Sequence, residues 1–427
     1  MDLKTTTLWS ALSTIIRMLA GIISVKFVAY IVGPSGVALI GQLQSFISIT
    51  NSGANMGMGQ GTIKYLSEDR KDKIKHQKIV SSSFFVTVFC SIIISTVILV
   101  FYNTIGNYLF KTNDFDFIII ILALSLSFYA VQQILTQALN GYQEIKKLIV
   151  AKIVTSIIGL IFTLLLVYIA GVEGALLALV ITQIIGFIVL IYFSLKSSWF
   201  KKEMFFSGYD KETLKRLFKY SLMTFVSVIL LNVRQIYLRD YVIENLSANA
   251  AGHWQAIWKI SEIYLTVITF SLSIYYLPKL SSVNDKQTLK KEIFKGYKLL
   301  LPVVFVLSIL MYLFRDLIIL ILFSKEFNPV RDLFLYQLIG DVLKIASWLL
   351  SFMMIAKAMT KEFLITEVVS ISLFLILSLC FFNNYGILGL TYAYAINYAI
   401  YLIMMIVLFR KLLFKKHKLL YCNFVNK

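Results

Sequence analysis

Seven basic residues stand inside stretches that are otherwise apolar enough to lie in a bilayer: Arg17, Lys26, Lys152, Arg234, Arg239, Lys259 and Lys344. Each costs roughly 3 kcal/mol at a helix centre on the insertion scale, so an unpaired excess is a poor route to stability and a good pointer to function. Lys152 lies near one helix end and Arg239 near the opposite kind of end, where a long side chain can snorkel to the interface. The other five are deeper. Lys259 has Glu262 three residues on, and Lys344 has Asp341 three residues before it, so each pair can form a neutral couple on one helix face. Arg17, Lys26 and Arg234 have no such neighbour. A positive excess within the membrane calls for an anionic ligand, and the planar fork of arginine suits phosphate because it donates two parallel hydrogen bonds. Arg17, Lys26, Arg234, Lys259 and Lys344 are therefore the candidate substrate-binding residues. Asp341 and Glu262 are the candidate groups for coupling to a proton or sodium gradient.

The elements that must carry these charges are helices. Of 427 residues, 59% are hydrophobic and 15% charged, too apolar for a soluble surface of this size. A span needs about 20 apolar residues. Twelve stretches qualify, at 8–32, 36–60, 79–102, 117–139, 149–170, 174–195, 218–243, 252–278, 299–323, 333–356, 363–383 and 386–409. The fold expected is an all-α integral membrane protein of twelve transmembrane helices. No small-residue cleavage site precedes the first stretch, which is expected to stay as a span. Arg17 and Lys26 lie about 13 Å apart on it and on nearly opposite faces of a straight helix; Gly21 would permit the bend needed to bring both to one lumen.

The formal net charge of +19 is distributed unevenly. Thirty of the 41 Lys and Arg fall in the alternate connections that include both termini, and only Lys111, Arg315, Lys325 and Arg331 fall on the other side. That asymmetry predicts cytoplasmic termini and contact with anionic lipid, and no nucleic acid as partner. Cys90, Cys380 and Cys422 are scattered, so no disulfide or metal cluster is indicated. No G-x-x-x-x-G-K-[ST] loop is present, and the glycines of GMGQG, Gly57 to Gly61, read as packing or a hinge at a helix end. No cofactor is expected. His253, near an outer helix end, reads as an interfacial hydrogen-bonding residue.

Connections on the outer side are short: Gly33 to Ser35, Ala170 to Gly174 and Asn383 to Gly386, with Asn103 to Asp116 the longest. Nothing there can form a catalytic domain. The longest connection, KSSWFKKEMFFSGYDKETLKR, lies at the midpoint and carries Trp199, Phe205, Phe206, Leu214 and Leu217 among lysines; it reads as a linker lying on the anionic inner surface. It separates an N-terminal six-helix lobe (1–196) from a C-terminal one (217–410), with the linker at 197–216 and a basic tail at 411–427. Internal repetition supports two halves. GVEGALLALV and GILGLTYAYA repeat glycines at an offset of 215, and GVALIGQLQSF and GHWQAIWKISE repeat at 216. With an even number of spans in each half, the lobes would be related by a pseudo-two-fold axis along the membrane normal. Gln132, Gln133, Gln137 and Asn140 on one span, with Tyr392, Tyr394, Asn397, Tyr398 and Tyr401 on another, could serve either interhelical hydrogen bonding or sugar binding.

Two segments carry a family likeness. GHWQAIWKISEIYLTVITFSLSIYYLPKLS (252–281) and RDLFLYQLIGDVLKIASWLLSFMMIAKA (331–358) closely resemble the Wzx lipid-linked oligosaccharide flippases, in particular the branch with the enterobacterial common antigen lipid III flippase. LWSALSTIIRMLAG and VKFVAYIVGPSGVALIG also look like that branch, and similar spacing runs over about 1–410. The resemblance implies membership of the multidrug, oligosaccharidyl-lipid and polysaccharide exporter superfamily. It implies a substrate of undecaprenyl-pyrophosphate-linked oligosaccharide, of O-antigen or common-antigen type, moved from the cytoplasmic to the periplasmic leaflet of a bacterial inner membrane by alternating access, with no enzymatic step. Partners implied are the phospholipid bilayer and the polymerase and chain-length regulator of the same pathway. The rival readings are a multidrug exporter of the same superfamily, for which an acidic cavity would be expected, and a membrane polymerase or ligase, for which a large outer loop would be expected.

Overall fold

The computed structural model describes the backbone of residues 3–68, 73–272, 276–283, 285–357 and 359–414. The tail from 415 onward, Cys422 included, lies outside the described residues. Every regular element among them is helical, as hydrocarbon demands of a chain whose backbone groups must be satisfied within each segment. The helices are α1 (Leu3–Asn55), α2 (Gly59–Glu68), α3 (Lys73–Val100), α4 (Tyr102–Phe110), α5 (Asp116–Gly141), α6 (Ile145–Leu195), α7 (Lys202–Phe206), α8 (Lys211–Asn245), α9 (Ala248–Ser271), α10 (Leu277–Ser282), α11 (Lys286–Leu313), α12 (Arg315–Leu322), a 3₁₀ segment (Lys325–Leu333), α13 (Phe334–Ala356), α14 (Thr360–Tyr385), α15 (Ile387–Leu408) and α16 (Arg410–Phe414). Among the described residues, nine helices are long and apolar enough to cross a membrane, and the protein is a multi-pass membrane protein.

Two of the nine, α1 and α6, run to 53 and 51 residues, more than twice a bilayer crossing. Each is broken where the sequence places a short outer connection. Gly33 takes φ +66°, a left-handed conformation that suits glycine, and Pro34, which has no N–H to leave unsatisfied, begins the next helical run. Gly171 breaks α6 at φ +53°, and Gly386 stands between α14 and α15 at φ +57°. The 215-residue repeat reappears here in detail. A Cβ on Gly174 would overlap the carbonyl of Leu166, and one on Gly389 would overlap that of Phe381, so partner and glycine keep the same offset. The 216-residue pair does not behave alike: Gly36 meets Val32 of its own helix, whereas Gly252 meets the carbonyl of Pro34. Asn103 to Asp116 is not a bare loop, since α4 occupies most of it.

The chain forms two compact units, Met1–Ala256 with Ile318–Asn328, and Ile257–Leu317 with Pro329–Lys427. In the first, Leu43, Leu122, Leu126 and Leu176 from α1, α5 and α6 are buried in one apolar core. A second core of this unit, around Met58, Leu66, Leu139 and Leu190, receives the midpoint linker. Trp199 stacks on Tyr142, centroids 5.1 Å apart, and Phe205 meets Phe84 edge to face at 5.5 Å. Ser81 donates to the carbonyls of Phe205 at 3.1 Å and Gly208 at 2.6 Å. The reading of this linker as a surface-lying segment is therefore corrected: Trp199 and Phe205 are buried in protein, because Tyr142 and α3 offer them rings and a hydroxyl, and Leu217 is buried beside Gly61 of α2; Phe206 alone of these aromatics remains largely exposed. In the second unit, α13 is central, packing with α11, α14 and α15, with Phe334, Ile345, Leu349 and Met354 buried along it.

Two basic-side helices begin on aspartate caps. Asp210 accepts from the Thr213 N–H at 2.9 Å and its hydroxyl at 2.6 Å; Asp285 accepts from Thr288 at 2.7 Å through both groups. These bonds favour the carboxylate, and hold both aspartates below the usual carboxylate range. A folded-state value depressed in this way gives stability that is present at neutral pH and is lost as pH falls through the carboxylate range. Amide hydrogen exchange at Thr213 and Thr288 is expected to stay slow near pH 7 and to accelerate, beyond the intrinsic pH trend, in acid; unchanged protection would rule the caps out as the fastening.

Candidate functional site

The backbone of α1 is helical through Gly21, so the bend proposed there from sequence is absent and Arg17 and Lys26 stay on different faces. Arg17 is exposed and donates to the Thr14 hydroxyl at 3.4 Å. Lys26 points elsewhere. Its ammonium donates to the carbonyl of Leu320, in the last turn of α12, at 2.6 Å and to that of Phe323, the residue just past it. A cation at a helix C-terminus satisfies carbonyls that have no helical donor and meets the negative end of the dipole.

Arg234 and Arg239 lie on α8 of the same unit and are 7% and 2% exposed. The snorkelling expected of Arg239 is overturned: its guanidinium donates through Nη1 to Gln42 Oε1 at 2.8 Å and through Nη2 to Gln255 Oε1 at 2.7 Å. Two buried amides satisfy it where it stands, so it has no need to reach the interface. Gln42 is itself aimed by a bond to the Ile236 carbonyl at 3.4 Å, and Gly41 leaves the room, since a Cβ there would come within 3.0 Å of both Gln255 and Arg239. His253 bonds the Glu326 carbonyl at 2.9 Å. Lys152 is partly buried on α6.

The second unit holds the other candidates. Lys259 and Glu262 form the expected i,i+3 pair at 2.8 Å on α9, with Glu262 the more exposed member. Asp341 on α13 is 0% exposed and accepts three hydroxyl hydrogen bonds: from Ser261 at 2.7 Å and Tyr264 at 2.8 Å on one oxygen, and from Tyr394 at 2.8 Å on the other. Gln337 in turn donates to Ser261 at 3.1 Å. Lys344, one turn along, stands among four rings, with Trp348 at 4.8 Å, Tyr398 at 5.8 Å, Trp258 at 5.9 Å and Tyr394 at 6.0 Å. Tyr394 thus donates its hydroxyl to the carboxylate and presents its ring to the ammonium.

Other polar side chains of the spans are engaged between helices. Gln137 bonds Asn55 at 3.3 Å, Asn397 bonds Ser370 at 3.1 Å, and Tyr401 bonds Glu367 at 2.9 Å. Gln42 and Gln255 are not among the residues expected from the sequence, although both lie in the repeated segments GVALIGQLQSF and GHWQAIWKISE, where an amide in an apolar run is the signal that marks them. Two carboxylates are likewise outside that set: Asp240, paired with Lys111 at 2.7 Å, and Glu367.

Residues 27–332 match the family described as polysaccharide biosynthesis protein. The chain belongs to that family. Among relatives of this polysaccharide biosynthesis protein, a Lipid III flippase of Escherichia coli (strain K12) is 28% identical over 401 residues, covering 94% of this chain and 96% of the relative. Two solved structures share the fold: a multidrug resistance MATE family transporter of the MOP superfamily in its inward-facing conformation, with a TM-score of 0.77 at 14% identity over 92% of this chain and 94% of that one, and the Lipid II flippase MurJ in an inward closed conformation, with 0.72 at 16% over 95% and 87%. At such identities the likeness concerns architecture: the family member has the all-α, two-lobed fold of that superfamily.

Proposed function

We propose that this polysaccharide biosynthesis protein is a flippase that carries an undecaprenyl-pyrophosphate-linked oligosaccharide repeat unit from the cytoplasmic to the outer leaflet of a bacterial inner membrane, by alternating access and without a catalytic step. The observation that carries the reading is the end-to-end similarity to the Escherichia coli Lipid III flippase, over 94% of this chain and 96% of that protein. The intramembrane cations support it from chemistry: a diphosphate headgroup is the anion they would attract, while the polyprenyl tail can stay in lipid. Arg17, which is exposed, and Arg234, which is buried on α8, are the residues we assign to the diphosphate, with Lys259 and Lys344 contributing field; Lys26 acts through the end of α12.

We read α1 and α6, each bent once, as two crossings apiece and count α9, whose Lys259 and Glu262 make it less apolar, as a further one, for twelve spans in all; an even number keeps the termini on one side, and the excess of Lys and Arg in the connections of that side supports a cytoplasmic assignment. Coupling to a proton or sodium gradient runs through Asp341, whose carboxylate, held by three hydroxyls, can take up one proton or one small cation from one side and release it to the other; Glu262 is the secondary candidate. The polymerase and chain-length regulator of the pathway would receive the product on the outer side.

The direct test is transfer between leaflets. Proteoliposomes holding the purified protein and a labelled undecaprenyl-pyrophosphate oligosaccharide are expected to move label between leaflets faster than protein-free liposomes. Equal rates with and without protein, across repeat units of several compositions and with an imposed ion gradient, would overturn the reading.

A further inference from the structure

Arg239 is the most deeply buried of the membrane-embedded basic residues whose contacts are described above, and its partners are neutral. Two amide oxygens take Nη1 and Nη2; Nε, also buried, has no hydrogen-bond partner among the described residues. The carboxylate next in sequence, Asp240, is taken by Lys111. A buried guanidinium held this way keeps its charge uncompensated, which is costly in low dielectric. Around it the packing is tight. Gly41 makes room for the cluster, and the start of α9 approaches the bend of α1 so closely that a Cβ on Gly252 would overlap the Pro34 carbonyl. Lys26 on the end of α12 and His253 on Glu326 fasten the same end of this unit.

We infer that Arg239 is a second anion contact, used on the release side: Gln42 and Gln255 hold its guanidinium while that end is closed, and opening hands it to the diphosphate of the translocating lipid. The inference rests on the flippase reading and on the bend of α1 facing outward. Its physical basis is differential affinity. A ligand shifts a two-state equilibrium only by binding one state better. The closed state offers the diphosphate nothing, because the guanidinium is sealed behind two amides. The open state offers bonds in which donor and acceptor are both charged and can pair two by two, in place of bonds in which only the guanidinium carries charge. Diphosphate binding therefore favours opening, and its departure lets the glutamines reclaim the arginine. Neutral partners are what such a latch needs, since a carboxylate in place of either glutamine would outcompete the ligand.

The test uses full-length protein in liposomes with Cys90, Cys380 and Cys422 replaced and spin labels at Ser35→Cys and Asn249→Cys, one beside the bend of α1 and one at the exposed start of α9. Undecaprenyl pyrophosphate is expected to lengthen the label distance in the parent protein, and undecaprenol is not. Arg239→Gln is expected to weaken the apparent affinity for undecaprenyl pyrophosphate in this assay by about tenfold or more. Gln255→Glu, which adds a carboxylate beside an existing cation, is expected to abolish the lengthening while the protein stays folded. A parent-like response in either variant overturns the inference, as does equal lengthening by undecaprenol. A flippase-active parent that shows no lengthening also overturns it, leaving the functional reading standing; a parent that responds but does not flip its oligosaccharide overturns the functional reading.

Discussion

Replacing Arg234 with glutamine is expected to abolish export of the lipid-linked oligosaccharide while the protein remains folded in its membrane. Arg234 is buried on α8, five residues before Arg239, so the two lie on different faces of the helix and serve different contacts. Glutamine keeps most of the length and can still donate one hydrogen bond, so packing changes little. What it loses is the charge and the paired geometry, and charge-assisted hydrogen bonds contribute about 1.5–3 kcal/mol each. Losing two of them corresponds to about a hundredfold or greater fall in flipping rate. Initial flipping rates in proteoliposomes check this, with size exclusion and circular dichroism as the control for folding. A rate within a few-fold of the parent would remove Arg234 from the substrate path.

The second large effect is expected at Asp341. Its carboxylate is the common acceptor for Ser261, Tyr264 and Tyr394, so it joins α9, α13 and α15 at one point. Asp341→Ala leaves three hydroxyls without that acceptor in a buried place, and each unsatisfied group costs about 1–3 kcal/mol. A total loss of several kcal/mol would show as a large drop in the denaturation midpoint in detergent. Asp341→Asn separates structure from coupling. The amide keeps one carbonyl oxygen for Tyr394, and its NH₂ can donate to hydroxyls that rotate to accept. It should therefore retain most of the stability while making the flipping rate insensitive to an imposed proton or sodium gradient. A gradient response identical to that of the parent would remove Asp341 from the coupling step, and an alanine variant as stable as the parent would remove it from the structure.

The residues differ in how far a sequence can foretell their surroundings. Gly33, Gly171 and Gly386 announced the turns correctly, because a tight reversal between apolar runs depends on local backbone freedom. The Lys259–Glu262 pair was legible for the same reason, its partners being one helical turn apart. Arg239 and Lys26 were not. Arg239 takes one acceptor 197 residues away and another on the next helix, Lys26 takes one 294 residues away, and helical periodicity tells which face a side chain occupies, never which helix packs there. Trp199 and Phe205 misled by composition: aromatic residues among lysines describe an interfacial segment and a docked linker equally well, and the choice was made by Tyr142, Phe84 and Ser81 on other helices. The candidate site was thus readable as a set of charges but not as a set of contacts.

The distance in sequence between Lys26 and its acceptors also has a consequence for biogenesis. The lysine enters the bilayer with the first hairpin, but the end of α12 that will receive it is translated 294 residues later. At about 5–20 residues per second, the ribosome needs about 15–60 s to supply it. Over that interval the nascent hairpin must keep an unsheltered ammonium near lipid headgroups or within the insertion machinery, and its apolar second arm, tethered by only three residues at Gly33 to Ser35, must help hold it there. Docking of Lys26 onto α12 then becomes a late proofreading step, one that a chain truncated before Leu320 can never complete.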